Sequence, residues 1–120
     1  MSDRKVSAAY GLAYASVLPF LQEIARKHGY ALAVHGSMAT DMDLLAAPWT
    51  DDAGDPTEMI QEICRCVRGT IVANPETEPK PHGRLAWNIL IPKDSLWPRF
   101  DLVPWLDISV MPRKQVTHVK

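Results

Sequence analysis

Cysteine is nearly absent: only Cys64 and Cys66 occur in 120 residues. They stand two apart in a stretch with helical periodicity, so their side chains point to different faces. Neither a disulfide between them nor joint chelation of one metal is expected, and a disulfide-stapled secreted framework is excluded. Long apolar runs are also missing, since none approaches the roughly 20 residues that cross a bilayer. Met1-Ser2-Asp3-Arg4-Lys5 leads into polar-interrupted sequence rather than the apolar core of a signal peptide. A surplus of one charge is lacking too: 13 Lys and Arg face 14 Asp and Glu, a formal net charge of −1. Nucleic-acid binding by bulk positive charge is therefore not expected. What remains is a globular composition, 47% hydrophobic and 22% charged, long enough for one core and too short for two. The expectation is one domain over residues 1–120, cytoplasmic and without a membrane partner. Residues 1–29 would form an N-terminal helical segment and 112–120 a polar tail.

One further scarcity is local. Lys and Arg are absent from His28 to Cys64, a stretch that holds Asp41, Asp43, Asp51, Asp52, Asp55, Glu58 and Glu62. Clustered carboxylates repel unless water, a cation or folded-back basic groups screen them. Solvated helix and loop surfaces suit Asp51, Asp52, Glu58 and Glu62. Asp41 and Asp43 have a different context.

Apolar periodicity supplies the elements. Tyr10, Tyr14, Val17, Leu18, Leu21, Ile24 and Ala25 recur at helical spacing, predicting a helix from about Asp3 to His28 that stops at Gly29. Pro19 inside it is expected to kink the helix or divide it, with Ser16 as the second cap. Tyr30–His35 and Asp41–Ala47 read as adjacent antiparallel strands joined by a small-residue turn. Asp55-Pro56-Thr57-Glu58 is a helix start, with Asp as N-cap, proline at the first helical position and Glu58 completing a capping box. That helix turns Met59, Ile60, Ile63 and Val67 inward and stops at Gly69. Residues 70–72 form a short strand, 74–83 a stiff extended proline-bearing loop, Arg84–Ile91 a further strand and Trp105–Val110 the last. The order predicts an α+β fold: a small mixed or antiparallel sheet of four to five strands with two main helices packed on it.

Two features carry chemistry. One is Val34-His35-Gly36-Ser37 followed closely by Asp41-Met42-Asp43; the other is Asp107, alone in the apolar strand Trp105–Val110. Residues two apart on a strand share a face, so Asp41 and Asp43 lie side by side. Two carboxylates that close do not both ionise cheaply without a cation between them. Mg²⁺ prefers such oxygen ligands, with waters and substrate phosphates completing its shell. Asp107 would add a third if its strand lies beside theirs, and three such groups can bridge two metals. Gly36 and Ser37 suit a close approach of backbone to a phosphate.

This pattern resembles the nucleotidyltransferase superfamily typified by DNA polymerase beta and the minimal nucleotidyltransferases. The resemblance covers about residues 30–110 and rests on Gly36-Ser37, Asp41-Met42-Asp43 and Asp107. Compact chains of this type look similar to small proteins of bacteria and their phages. The resemblance implies that Asp41, Asp43 and Asp107 are catalytic metal ligands for Mg²⁺ (or Mn²⁺). It further implies that Gly36 and Ser37 contact the triphosphate of a nucleoside triphosphate, whose nucleoside monophosphate passes to an acceptor of unspecified kind. Only Met38, Ala39 and Thr40 separate Gly-Ser from the first acid, where the family has a longer segment, often with a basic residue. This spacing, with the small size, favours an alternative: a non-catalytic protein on the same fold that binds a nucleotide, nucleic acid or protein partner. A metal-dependent phosphodiesterase using the same acids is a third reading.

Other residues are candidates of lesser weight. Arg84 and His82, flanking Gly83, are placed to reach nucleotide phosphates, against simple loop solvation. His35 suits either phosphate or base binding or a structural hydrogen bond. Lys93, Arg99, Arg113 and Lys114 would make a modest acceptor surface or serve solubility. Of Trp49, Trp87, Trp97 and Trp105, core packing is the default, with an exposed one free to stack on a base.

Overall fold

The computed structural model describes residues 3–36, 41–77, 79–92 and 105–113, with side-chain surroundings from Tyr14 onward. Helix α1 (Asp3–Lys27) is a single element that continues through Pro19. Of the two outcomes expected at Pro19, a kink or a division, the division does not occur. Proline removes the hydrogen bond to the carbonyl four residues back, and both Pro19 and Ala15 are exposed, so water can take the missing place. Tyr14, Val17, Leu21 and Ala25 form its buried stripe, which lies on strands β1 (Tyr30–His35) and β2 (Asp41–Pro48) and touches helix α2 (Pro56–Cys66).

The start of α2 follows its sequence signal. Asp55 Oδ1 accepts the Thr57 N–H at 2.9 Å, and Pro56 occupies the first turn. That hydrogen bond holds the Asp55 carboxyl below its ordinary range. Met59, Ile60, Ile63 and Val67 are fully buried, as the periodicity requires. The end differs from expectation. Arg68, not glycine, takes the left-handed conformation (φ 56°), while Gly69 N–H donates to the Cys64 carbonyl at 2.9 Å and Arg68 N–H to that of Arg65 at 3.2 Å, a Schellman closure. Gly69 is required for another reason: a Cβ there would come within 2.5 Å of Ile89 Cγ2 and 2.9 Å of the Leu90 carbonyl oxygen.

Strands β3 (Thr70–Ala73), β4 (Leu85–Leu90) and β5 (Trp105–Val110) complete a five-stranded sheet in the order β1-β2-β5-β4-β3. All neighbours are antiparallel except β2 and β5, which run parallel. The architecture is α+β with a mixed sheet. The segment expected to be a mostly extended loop is a connection that contains a turn held by the Asn74 side chain, which accepts from Glu76 and Thr77 N–H, and a 3₁₀ turn at Pro81–Gly83. Strand alternation then sorts the sheet into two faces. Met42, Leu44, Leu106, Ile108, Trp87 and Ile89 meet the helices in one core. Residues 41, 43, 45, 105, 107 and 109 belong to the other face, which neither described helix covers. No helix among the described residues is long and apolar enough to cross a membrane.

A charged bridge joins the helices. Glu62 of α2 accepts from Lys27 Nζ at 2.5 Å and lies 2.9 Å from His28 Nε2. The hydrogen bonds from Lys27 and then His28 hold the Glu62 carboxyl below the ordinary glutamate range. A carboxylate whose folded value is depressed stabilises above its unfolded value, and that contribution is lost as pH falls through the folded one. Glu62→Gln is therefore expected to flatten the acid side of a melting-temperature versus pH profile. It should leave the profile above pH 7 nearly parallel to that of the wild type.

Candidate functional site

The site grows from strand register. Asp43 is paired with His35 of β1 on one side and Asp107 of β5 on the other. Asp107 in turn is paired with Asn88 of β4. Directly paired residues share a face, so His35, Asp43, Asp107 and Asn88 form one polar row across four adjacent strands. Asp41 stands one pleat away on the same face, beside Trp105. The expectation that Asp107 joins the Asp41–Asp43 pair is met at the level of strand and face.

Why these strands tolerate acids is clear from their other side. Met42, Leu44, Leu106 and Ile108 between and beside the aspartates are completely buried, which fixes the register and leaves Asp41, Asp43 and Asp107 half-buried on the face that neither described helix covers. Asp43, the central carboxyl, is pushed above its ordinary range, first by burial and then by Asp41 and Asp107; His35 opposes the shift. The three acids thus interact electrostatically. Among the described residues, no three His, Cys, Asp or Glu side chains are gathered into a metal cage. The donors share a face without converging on one point.

Gly36 belongs to this cluster. It takes φ +89°, and a Cβ on it would lie 3.1 Å from Asp43 Oδ2. Glycine therefore serves both the left-handed turn that ends β1 and the seat of the central carboxylate. Ser37, with Met38, Ala39 and Thr40, lies outside the described residues.

Arg84 sits on the same face but not against the acids. Its Nη1 donates to Ser109 Oγ at 3.4 Å, and Ser109 lies two residues beyond Asp107, about 7 Å along the strand. His82 occupies the exposed 3₁₀ turn at the end where Leu85 pairs with Val110, away from the aspartates. Arg113 is near Tyr30 and Asp55 and lowers the carboxyl of the latter, at the opposite end of β1 from His35. It does not contribute to a surface around the acids. Lys93, Arg99, Lys114 and Trp97 lie outside the described residues. Cys64 and Cys66 are free thiols, both pushed up chiefly by burial.

One residue of the row escaped the sequence reading. Asn88 is a polar residue alternating with buried Trp87 and Ile89, a signal available in Trp87-Asn88-Ile89 but meaningless without the strand's neighbours. Trp105, for which core packing is the default expectation and an exposed stacking position the alternative, is 37% exposed, although it heads a strand whose next apolar residues are sealed in the core. Comparison with known proteins adds no relative: no protein-family model matches the chain, and no curated protein matches its sequence.

Proposed function

We propose that the chain is a metal-dependent nucleotidyltransferase-like protein that moves a nucleoside monophosphate from a nucleoside triphosphate to an acceptor hydroxyl, releasing pyrophosphate. The observation that carries this reading is the lateral pairing of Asp43 with Asp107, with Asp41 one pleat away on the same face. The donor chemistry suits Mg²⁺ or Mn²⁺, since all three groups are hard carboxylate oxygens and a divalent ion would relieve the repulsion from Asp41 and Asp107 that adds to burial in raising Asp43; the three are not gathered into a cage, so binding would have to draw them together. Asp41, Asp43 and Asp107 would hold the ion. When bound, it supplies charge neutralisation on the phosphates and activation of the attacking oxygen.

The chain's own residues set the remaining conditions. The half-exposed acids, on the face that neither described helix covers, would be within reach of a triphosphate. Gly36, lacking a side chain beside Asp43, leaves room for a phosphate near the central carboxylate. His35 and Asn88 close the polar row at its two ends. Arg84, whose partner Ser109 is one pleat from Asp107, would approach the phosphates only by exchanging that contact, a choice open to a long flexible side chain.

Thermal melting with Mg²⁺, with each nucleoside triphosphate, and with both together tests the proposal. A ligand present at a hundred times its dissociation constant stabilises by about 2.7 kcal/mol, roughly 10 °C for a chain of this size. The expected result is a rise of that order only when metal and nucleotide are combined. A flat response to Mg²⁺, Mn²⁺ and every nucleotide would instead support a non-catalytic protein that works through a macromolecular partner. Labelled nucleotide then separates transfer from plain hydrolysis.

A further inference from the structure

This face has a second chemical character beside the acids. Trp105 is the lateral neighbour of Asp41 on one side and of Leu90 on the other, one strand spacing (about 4.8 Å) from each. Its indole belongs to the same face as the three aspartates, because Trp105 and Asp107 are two apart on β5. A large aromatic normally goes to the core, and Leu106 and Ile108 of the same strand do so completely. Trp105 does not. Its backbone is nevertheless fixed: the Trp105 N–H donates at 3.2 Å to the hydroxyl of Tyr14, a fully buried residue of α1. An exposed indole on an anchored backbone position is a rigid apolar plate at the rim of an acidic row.

From this juxtaposition we infer that Trp105 is the stacking platform for the nucleobase of the ligand whose phosphates lie over Asp41, Asp43 and Asp107. The inference rests on the reading of those acids as a phosphate-and-metal site, and it adds the recognition of the base. Stacking suits a flat heteroaromatic ring of any identity, so the platform selects for nucleotides over inorganic polyphosphate without choosing among bases. Leu90 extends the apolar surface away from the acids. The other exposed indole among the described residues, Trp49, follows β2 at the end where Pro48 pairs with Tyr30, too far along the sheet to share a ligand with Asp41.

The test compares wild type, Trp105→Phe and Trp105→Ala by calorimetry. The probes are a nucleoside triphosphate with Mg²⁺, inorganic tripolyphosphate with Mg²⁺, and a free nucleoside at millimolar concentration in a chelator. Because Trp105 is exposed and its anchoring N–H survives both substitutions, circular dichroism should show the variants folded. Trp105→Ala is expected to weaken the nucleoside triphosphate at least about tenfold and leave tripolyphosphate unchanged, with Trp105→Phe within about threefold of wild type. The free nucleoside should quench wild-type fluorescence and lose its binding in Trp105→Ala. That arm is independent of metal and phosphate: if tripolyphosphate fails to bind while the nucleoside effect remains, the acid-site reading fails and the platform stands. Equal loss of nucleotide and tripolyphosphate, nucleotide binding indifferent to Trp105→Ala, or no binding of nucleoside and nucleotide by the wild type would each overturn the inference.

Discussion

Replacing Asp43 with asparagine is expected to abolish metal-dependent nucleotide transfer and, in the same molecule, to raise the melting temperature in metal-free buffer. The first effect follows from its position. Asp43 is the one acid adjacent to both others, paired laterally with Asp107 and two residues from Asp41 on the same face, so an ion held by the three would lose its central ligand without it. Loss of a partner that merely orients a metal ligand typically costs ten- to a hundredfold, so loss of the central ligand should cost at least about a hundredfold. The second effect follows from the sign of its pKa displacement. A carboxyl raised in the folded state favours its protonated form there, so its ionised form opposes folding once pH rises through the folded value. Asparagine keeps the shape and removes the repulsion. Transfer assays and calorimetric melting, with and without Mg²⁺, read both effects. An active Asp43→Asn protein would end the enzymatic assignment, and an inactive but destabilised one would show that Asp43 serves the fold.

The second large effect is structural. Gly29→Ala should destabilise the domain by about 2–5 kcal/mol, enough to threaten folding in a chain whose total is typically 5–15 kcal/mol. Two penalties add. Gly29 has φ +89°, and a left-handed conformation costs a non-glycine residue about 1–2 kcal/mol. A Cβ there would also meet Thr50 Oγ1 at 2.6 Å and the Ala53 Cα at 2.7 Å, and overpacking of this kind costs roughly 1–3 kcal/mol. The neighbours cannot withdraw easily. The Gly29 carbonyl accepts from Trp49 and Thr50 N–H, Gly54 N–H donates to the His28 carbonyl, and the Tyr30 hydroxyl donates to the Gly54 carbonyl at 2.7 Å. The 49–54 loop is thus laced onto the α1–β1 junction. Gly36→Ala is the control: its φ is the same, but the nearest obstacle is a single side-chain oxygen at 3.1 Å, so denaturant melts should rank it well below Gly29→Ala.

Local signals were the ones the sequence displayed well. Tyr30–His35 and Trp105–Val110 are strands with the boundaries that their apolar patterns imply, and Asp55-Pro56 starts α2 because capping chemistry acts within four residues. The pairing of Asp41 with Asp43 on one face needs only the two-residue period of a strand. What the sequence concealed is nonlocal. That β5 lies between β2 and β4, and hence that Asn88 and Trp105 border the acids, depends on register between segments far apart in the chain. Arg84 looked available for phosphates because nothing near it in sequence announces Ser109 as a hydrogen-bond partner. Arg68 is a different kind of miss: a glycine one residue later is the stronger C-terminal signal, but the tight approach of β4 claims Gly69 for close packing and passes the left-handed role to an arginine.

The parallel contact between β2 and β5 has a kinetic consequence. Every other strand pairing can form from neighbouring or nearby segments, whereas residues 43 and 107 are separated by more than half of the polypeptide. Closing so long a loop delays the reward of its contacts, so the β1–β2 hairpin and α2 should consolidate first and the central strand should dock late. Chemical competence would then arrive only with the final assembly step, and an incompletely folded chain would carry hairpin and helices without ever presenting its three acids together.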